Sequence, residues 1–427
     1  MEAESKKYKS ELMAQQFVMN LQALRVFNSR IGSVAAEHDR SAMDSLIKTL
    51  KSLIPAELFS EEKEEEKTAD LSGNHNESIT SPSREEMKTV IAKELFENPE
   101  NKEKFLRALN SYHKAAPVQE ELLSTSVLVS LISYLEALIS NLIHAFYERF
   151  PKAMPAEDRS LSLAELREIG SVKEAEAFLV AKEVDSVLRQ DLDSQFRYFT
   201  KRLKIDLTIF DDFWPIVIET DQRRNLIVHN QGIVNRVYLE RVDPKLVEKY
   251  GAVKNERLPV EREYLSQAIT TIEIVGIILL QQCWRKWDKD TVASADDFLI
   301  DTTFDGLLEE RYELVDQIAR YASTVTFEND VSKRIVCINQ AITLRDSGRS
   351  EEIEKVLESY DWSACGLIFQ VALCAVRKQE DELFNLLPRA VAAGELKKEQ
   401  LEQWPLFHIF RSTERFSEAI KTLFVPK

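Results

Sequence analysis

Apolar residues recur every three to four positions along most of the chain, the spacing of helices that bury one face. Near the N-terminus, Leu12, Phe17, Val18, Leu21, Leu24, Val26 and Phe27 predict one helix. Met43, Leu46, Ile47, Leu50 and Leu53 predict a second, with a break at Gly32-Ser33 and a stop at Pro55. Residues 1–60 therefore read as N-terminal helices, arranged as a hairpin for docking or dimerisation. The pattern lapses over 61–85, where Glu61, Glu62, Glu64, Glu65 and Glu66 precede a run of Asp, Ser, Gly, Asn and Pro, the composition of an acidic flexible linker or loop.

Periodicity resumes at Val90, Ile91, Leu95 and Phe96, then Phe105, Leu106 and Leu109. From Pro117 to Pro151 it becomes a long apolar helix, interrupted by the polar Ser133-Tyr134-Leu135-Glu136 step. Between 160 and 206 shorter helices are expected, capped at Ser160 and at Ser171, the latter with Glu174 in a capping-box pattern. Asp211 and Asp212 are placed to cap a helix that runs to Gly232, and Val260 to Trp287 predicts a long closing helix. Further helices are expected at Leu307–Ala319, Val331–Leu344, Glu351–Leu357, Leu367–Val376, Asp381–Leu387, Leu396–Leu401 and Phe416–Leu423. Ala341–Gly348 with Ser350–Tyr360 resembles a tetratricopeptide-like helix pair, and Ala364–Leu373 with Asp381–Val391 a degenerate copy. The expected domains are 1–60, the linker 61–85, a helical bundle over 86–292, and a repeat-like helical array over 293–427.

Composition supports an all-α chain. Only 10 glycines and 12 prolines occur in 427 residues, and no alternating β-branched run suggests a sheet. The net charge of −16 excludes a protein that coats nucleic acid by charge alone. It leaves room for local positive potential, and Arg197, Lys201, Arg202, Lys204, Arg223, Arg224, Arg236 and Arg241 gather within one segment. Phe196, Tyr198, Phe199 and Leu203 interleave with it, either as a stacking face for a nucleotide strand or, more commonly for such a stripe, as a core face. Cys283, Cys337, Cys365 and Cys374 form no Cys-x-x-Cys pair and read as free thiols in a reducing compartment. Met1 to Ser10 is charged with no apolar run behind it, and Ile274–Leu280 is too short to span a bilayer, so a cytoplasmic chain without a membrane partner is expected.

The densest chemistry lies in Arg223, Arg224, Asn225, Leu226, Ile227, Val228, His229 and Asn230. Asn225 and His229 are four apart and share a helix face. Arg224 sits roughly 140° from His229 around the axis, within reach of a long side chain. Arginine can neutralise a phosphate or a developing oxyanion, and histidine can move a proton near neutral pH. RNA supplies its own 2′-hydroxyl nucleophile, so neither Ser nor Cys is needed. Asp211, Asp212, Glu219 and Asp221 are scattered around the helix without a ligand histidine, and no metal or cofactor is expected.

Arg224-Asn225-Leu226-Ile227-Val228-His229 resembles the Arg-Asn-x-x-x-His signature of the HEPN superfamily, helical bundles many of which are metal-independent ribonucleases. The resemblance implies an endoribonuclease acting by 2′-hydroxyl attack, as a toxin or effector of prokaryotic antiviral defence by abortive infection. Arg224, Asn225 and His229 would be catalytic. Arg223, Asn230, Glu136, Asp221, Asn235 and Tyr238 would support them or bind substrate. Asn141 is a further candidate beside Glu136, and a solvated edge explains Glu136 equally well. RNA, such as tRNA or mRNA, would be the substrate. A homodimer would form the composite active site, and a regulator protein would bind the C-terminal array. The alternative is a non-catalytic scaffold using the bundle and array for dimerisation and protein binding. Nucleotide binding without cleavage is a third option.

Overall fold

The computed structural model describes residues 9–54, 93, 96–116, 118–154 and 161–424. Among them the chain is all-α, with no strand and a single antiparallel bridge between Ile233 and Arg257. The helices are α1 Lys9–Leu53, α2 Pro99–Ala115, α3 Gln119–Arg149, α4 Leu163–Ile169, α5 Val172–Leu188 and α6 Leu192–Tyr198. After them come α7 Trp214–Asn230, α8 Arg236–Arg241, α9 Pro244–Lys249 and α10 Arg262–Trp287. The C-terminal helices are α11 Val292–Leu308, α12 Tyr312–Thr324, α13 Asp330–Asp346, α14 Ile353–Leu357, α15 Leu367–Val376, α16 Glu380–Ala392, α17 Lys398–Gln403 and α18 Glu414–Leu423. The acidic run expected over 61–85 lies outside the described residues, as do Ser160 and Pro117.

Two compact units emerge. One comprises Met1–Ala23, Val129–Leu258 and Glu263–Lys427; the other comprises Leu24–Leu128 and Pro259–Arg262. In the smaller unit, the expected hairpin is instead one uninterrupted helix, because α1 passes through Gly32-Ser33 without a break. Glycine in a helix costs about 1 kcal/mol relative to alanine, and the contacts of this turn offset that cost. Arg262 donates to the Gly32 carbonyl, and Asp39 accepts the Glu120 backbone N–H at 2.9 Å. Leu53 and Ile54 pack with Leu50 and Phe105.

In the larger unit, α10 is buried along most of its length, from Tyr264 to Trp287. Among the described residues, two stretches, Pro99–Arg149 and Arg262–Trp287, are long and apolar enough by composition to cross a membrane. The apolar window of Arg262–Trp287 is 78% buried inside the protein. The helix also carries Glu273, buried and paired with Arg311, which marks it as a core helix rather than a lipid-facing one. Gly276 lets the Phe17 ring lie directly against the α10 backbone, where a Cβ would overlap it. Gly276→Ala is therefore expected to destabilise this unit by about 1–3 kcal/mol through overpacking, read as a lowered midpoint in urea unfolding. Gly276→Ala combined with Phe17→Leu should recover part of the loss.

The C-terminal helices share one core built on Ile338, Ala341, Ile342, Val371, Ala375, Leu383, Leu406 and Phe407, with Trp362 and Trp404 packed against it. The helix expected over Leu307–Ala319 divides into α11 and α12, because Glu310 adopts a left-handed conformation (φ 56°) that no glycine or proline announces. Arg345 is buried in this unit and donates to the carbonyls of Leu406, at 2.8 Å, and Ala375. All four cysteines are free; Cys283 and Cys337 are buried, and burial pushes the Cys337 thiol up to about 12.

Candidate functional site

Helix α7 carries the Arg-Asn-x-x-x-His segment, and its two ends are built differently. At the N-terminus, Asp211 and Asp212 do not cap it as expected. Phe213 occupies the cap without a side-chain bond, and Asp211 and Asp212 lie exposed in the preceding turn. Pro215 in the first turn has no N–H to satisfy, and the Phe213 carbonyl accepts from Ile216 and Val217. Of the two caps expected in the preceding segment, Ser171 is found, whereas α4 is capped by Ser162, two residues beyond the expected Ser160. Ser171 caps α5 with Glu174, and Ser162 with Glu165 forms a full capping box at α4.

At the C-terminus, the helix stops where Gln231 (φ 54°) and Gly232 (φ 76°) both turn left-handed. Their N–H groups close onto the Leu226 carbonyl. The chain then folds back. Val234 donates to Glu256, and Leu258 donates to Gly232 at 2.9 Å. Leu226, Val234, Tyr238, Val242, Ala252 and Leu258 form a small core under this return.

Two polar networks flank the helix end. The first is fully buried. Glu219 has no exposed surface and accepts from Arg223 Nε at 2.7 Å, Tyr238 Oη at 2.7 Å and Tyr264 Oη at 2.8 Å. The Arg223 guanidinium lies 3.7 Å from the Tyr264 ring centroid and 4.6 Å from that of Tyr250. Burial opposes the charge on Arg223, but Tyr264 and Glu219 outweigh it and raise its pKa. Burial and the Glu219 charge push the Tyr238 and Tyr264 phenols well up. Arg223 and Tyr238, candidates for substrate contact from the sequence, thus belong to a closed ionic cage. Asn235, another such candidate, caps α8 by accepting the Tyr238 N–H at 2.9 Å.

The second network is partly open. Arg224 Nη2 donates to Glu136 Oε1 on α3 at 2.6 Å and lies 3.3 Å from Asp221 Oδ1. Asn225 Nδ2 donates to Asp221 Oδ2 at 3.2 Å. Burial raises the Asp221 pKa, with Arg224 opposing. The Nε of Arg224 is buried and has no acceptor among the described residues. His229 is exposed one turn beyond Asn225, and its imidazole has no hydrogen-bond or ion-pair partner among the described residues. Asn230 donates to the Ile233 carbonyl at 2.6 Å and fixes the turn. Asn141 is exposed and outside the network. Of the sequence candidates, the structure joins Glu136, Asp221, Arg224 and Asn225.

Glu219, Tyr250 and Tyr264, which hold the helix end, were not among the sequence candidates. Only the Glu219/Arg223 spacing of four was a signal for them. The aromatic stripe resolves as core: Phe196, Phe199 and Leu203 are buried, and the Tyr198 hydroxyl bonds Glu183 at 2.7 Å. Among the described residues, no group of three or more His, Cys, Asp or Glu side chains is placed to hold a metal ion. Comparison of the chain with protein-family models, with curated proteins and with solved structures returns no match.

Proposed function

We propose that this chain is a metal-independent endoribonuclease of HEPN type, with Arg224, Asn225 and His229 as its catalytic residues. The observation that carries the reading is the end of α7. A half-buried arginine is held by two carboxylates, and an asparagine by one of them. An unpartnered, solvent-accessible histidine follows on the asparagine's face of the same helix. His229 takes the proton of the ribose 2′-hydroxyl or returns one to the leaving 5′-oxygen. Arg224 stabilises the phosphorane charge. Its Nε donor, orphaned at a cost of about 1–3 kcal/mol, would be satisfied by a phosphate oxygen. Glu136 and Asp221 position Arg224 and compete with the phosphate for it, so the isolated protomer is a resting state.

Val228, Ile233 and Val237 expose apolar surface beside His229. They fit a homodimer in which two such helix ends face one composite cleft. The C-terminal helices serve as an array that receives a regulator, and an effector of antiviral defence is the role consistent with such control. The same exposed valines and isoleucine also favour a second reading, a non-catalytic dimerisation scaffold.

The test is incubation of purified protein with total RNA and a tRNA mixture in EDTA, beside the Arg224→Ala/His229→Ala variant. The expected result is cleavage by the unsubstituted protein only, leaving 2′,3′-cyclic phosphate and 5′-hydroxyl ends. Equal cleavage by both proteins would overturn the assignment. Dimers without cleavage, disrupted by Val228→Asp/Val237→Asp, would favour the scaffold.

A further inference from the structure

A cleft of about 270 Å³ opens near the start of the motif helix, lined by Phe196, Phe210 and Trp214 and by the polar Asp193, Thr200 and Asp211. Its aromatic wall is tight. The Phe196 ring lies 4.6 Å from Trp214 and 6.0 Å from Phe210, centroid to centroid. Trp214 is held by a 3.0 Å bond from Nε1 to Asp193 Oδ1. Most polar groups of the lining are already engaged. Asp193 also pairs with Arg197, and Asp206 accepts from Thr208. Asp211 remains exposed, its carboxylate without a hydrogen-bond or ion-pair partner among the described residues, and Thr200 also lines the cleft.

Thr200 belongs to a π-helical turn, Phe199–Leu203, that ends at Lys204 in a left-handed conformation (φ 59°). Such turns are rare and concentrate at functional sites. Here the turn exposes Lys201, Arg202 and Lys204 directly after Thr200, and Lys286 joins them by donating to the Lys204 carbonyl. The larger unit thus places a turn with exposed cations directly after Thr200, which lines a cleft that also carries Trp214 and the Asp211 carboxylate. A simple cation would be repelled by the turn, and a simple anion by the carboxylates. A nucleotide matches both.

We infer that this cleft is a nucleobase subsite, with the phosphate of the same nucleotide on Lys201 and Arg202. The base packs on the partly exposed Trp214, which the buried Phe196 and Phe210 back from the core, as bases do on aromatic platforms. The Asp211 carboxylate accepts from ring and exocyclic N–H groups. Guanine presents N1–H and N2–H₂ side by side and so fits a carboxylate's two oxygens better than uracil, which offers one N–H. The inference rests on the ribonuclease reading for its substrate, RNA. Between Trp214 and Arg224, α7 advances about 15 Å, so a strand anchored here reaches the cleavage site a few nucleotides away.

The test uses the full chain carrying His229→Ala, titrated with 5′-GMP, 5′-UMP and guanosine and followed by calorimetry. 5′-GMP should bind more tightly than 5′-UMP. Asp211→Asn should weaken 5′-GMP by about tenfold or more, the scale of a hydrogen bond to a charged group. Lys201→Ala/Arg202→Ala should weaken 5′-GMP, with a reduced salt dependence, and leave guanosine unchanged. Absence of 5′-GMP binding, equal affinity for both nucleotides, or insensitivity to Asp211→Asn would overturn the subsite. Its failure is separable from that of the nuclease. RNA cleavage by the unsubstituted protein without mononucleotide binding removes the subsite alone. Selective 5′-GMP binding without RNA cleavage retains the subsite and removes the nuclease.

Discussion

Replacing His229 with alanine is expected to lower RNA cleavage by about 10²–10⁴-fold, the usual contribution of a positioned acid or base, while leaving the unfolding midpoint unmoved. The separation follows from exposure. The His229 side chain is solvent-accessible and has no hydrogen-bond or ion-pair partner among the described residues, and surface substitutions of that kind stay within about 0.5 kcal/mol. Single-turnover cleavage beside thermal unfolding checks both halves. Cleavage unchanged in His229→Ala would remove the histidine from the mechanism.

Arg224→Ala is expected to behave differently, because Arg224 is woven into the fold. Its loss leaves Glu136 and Asp221 without their shared cation. Asp221 is the telling group. Burial already raises its pKa above the ordinary carboxylate value, and Arg224 opposes that rise. In the folded state Asp221 therefore holds its proton to higher pH than in the unfolded chain. Stability falls as pH rises from the ordinary carboxylate value to the raised one. Removing Arg224 pushes that window upward. Arg224→Ala should thus lose more stability at about pH 7 than at about pH 4, and adding Asp221→Asn should flatten the difference. A melting profile against pH decides it. The same loss at every pH would mean that Asp221 does not sense Arg224.

The helical fold is legible because its cause is local. Period-3.6 burial places α3, α10, α13 and α15 close to where apolar spacing puts them, and Gly232 marks the end of α7 through its positive φ. Two kinds of feature escape such reading. One is a break or continuity decided by tertiary contacts: α1 runs through Gly32 because Arg262 meets its carbonyl, and the chain breaks at Glu310 with no turn residue to announce it. The other is the division of labour between adjacent residues. Arg223 and Arg224 look alike in sequence, yet the 100° between them sends one into the Glu219 cage and leaves the other half-open beside Glu136. Glu136 itself is 88 positions away from Arg224 in the chain and showed only as a polar step in an apolar run.

That division makes Glu219 the residue on which the geometry of the candidate site depends most. Glu219→Ala is expected to destabilise the larger unit by about 3–5 kcal/mol, the cost of breaking a buried ion pair from one side. It removes the buried carboxylate on which Arg223 and the Tyr238 and Tyr264 hydroxyls converge. Glu219→Gln keeps the shape and one acceptor oxygen, so its cost should be clearly smaller. The paired change Glu219→Leu/Arg223→Met removes both charges and should recover most of the stability lost in Glu219→Ala, because well-packed apolar replacements of buried pairs are often neutral. Its effect on cleavage separates two roles of the cage. Tyr238 follows the Asn235 cap that begins the chain's return over the end of α7, and its hydroxyl ties that return to Glu219. A stable double variant with slowed cleavage would show that the cage positions the helix end bearing Asn225 and His229. A double variant that is stable and fully active would confine Glu219 and Arg223 to holding the fold.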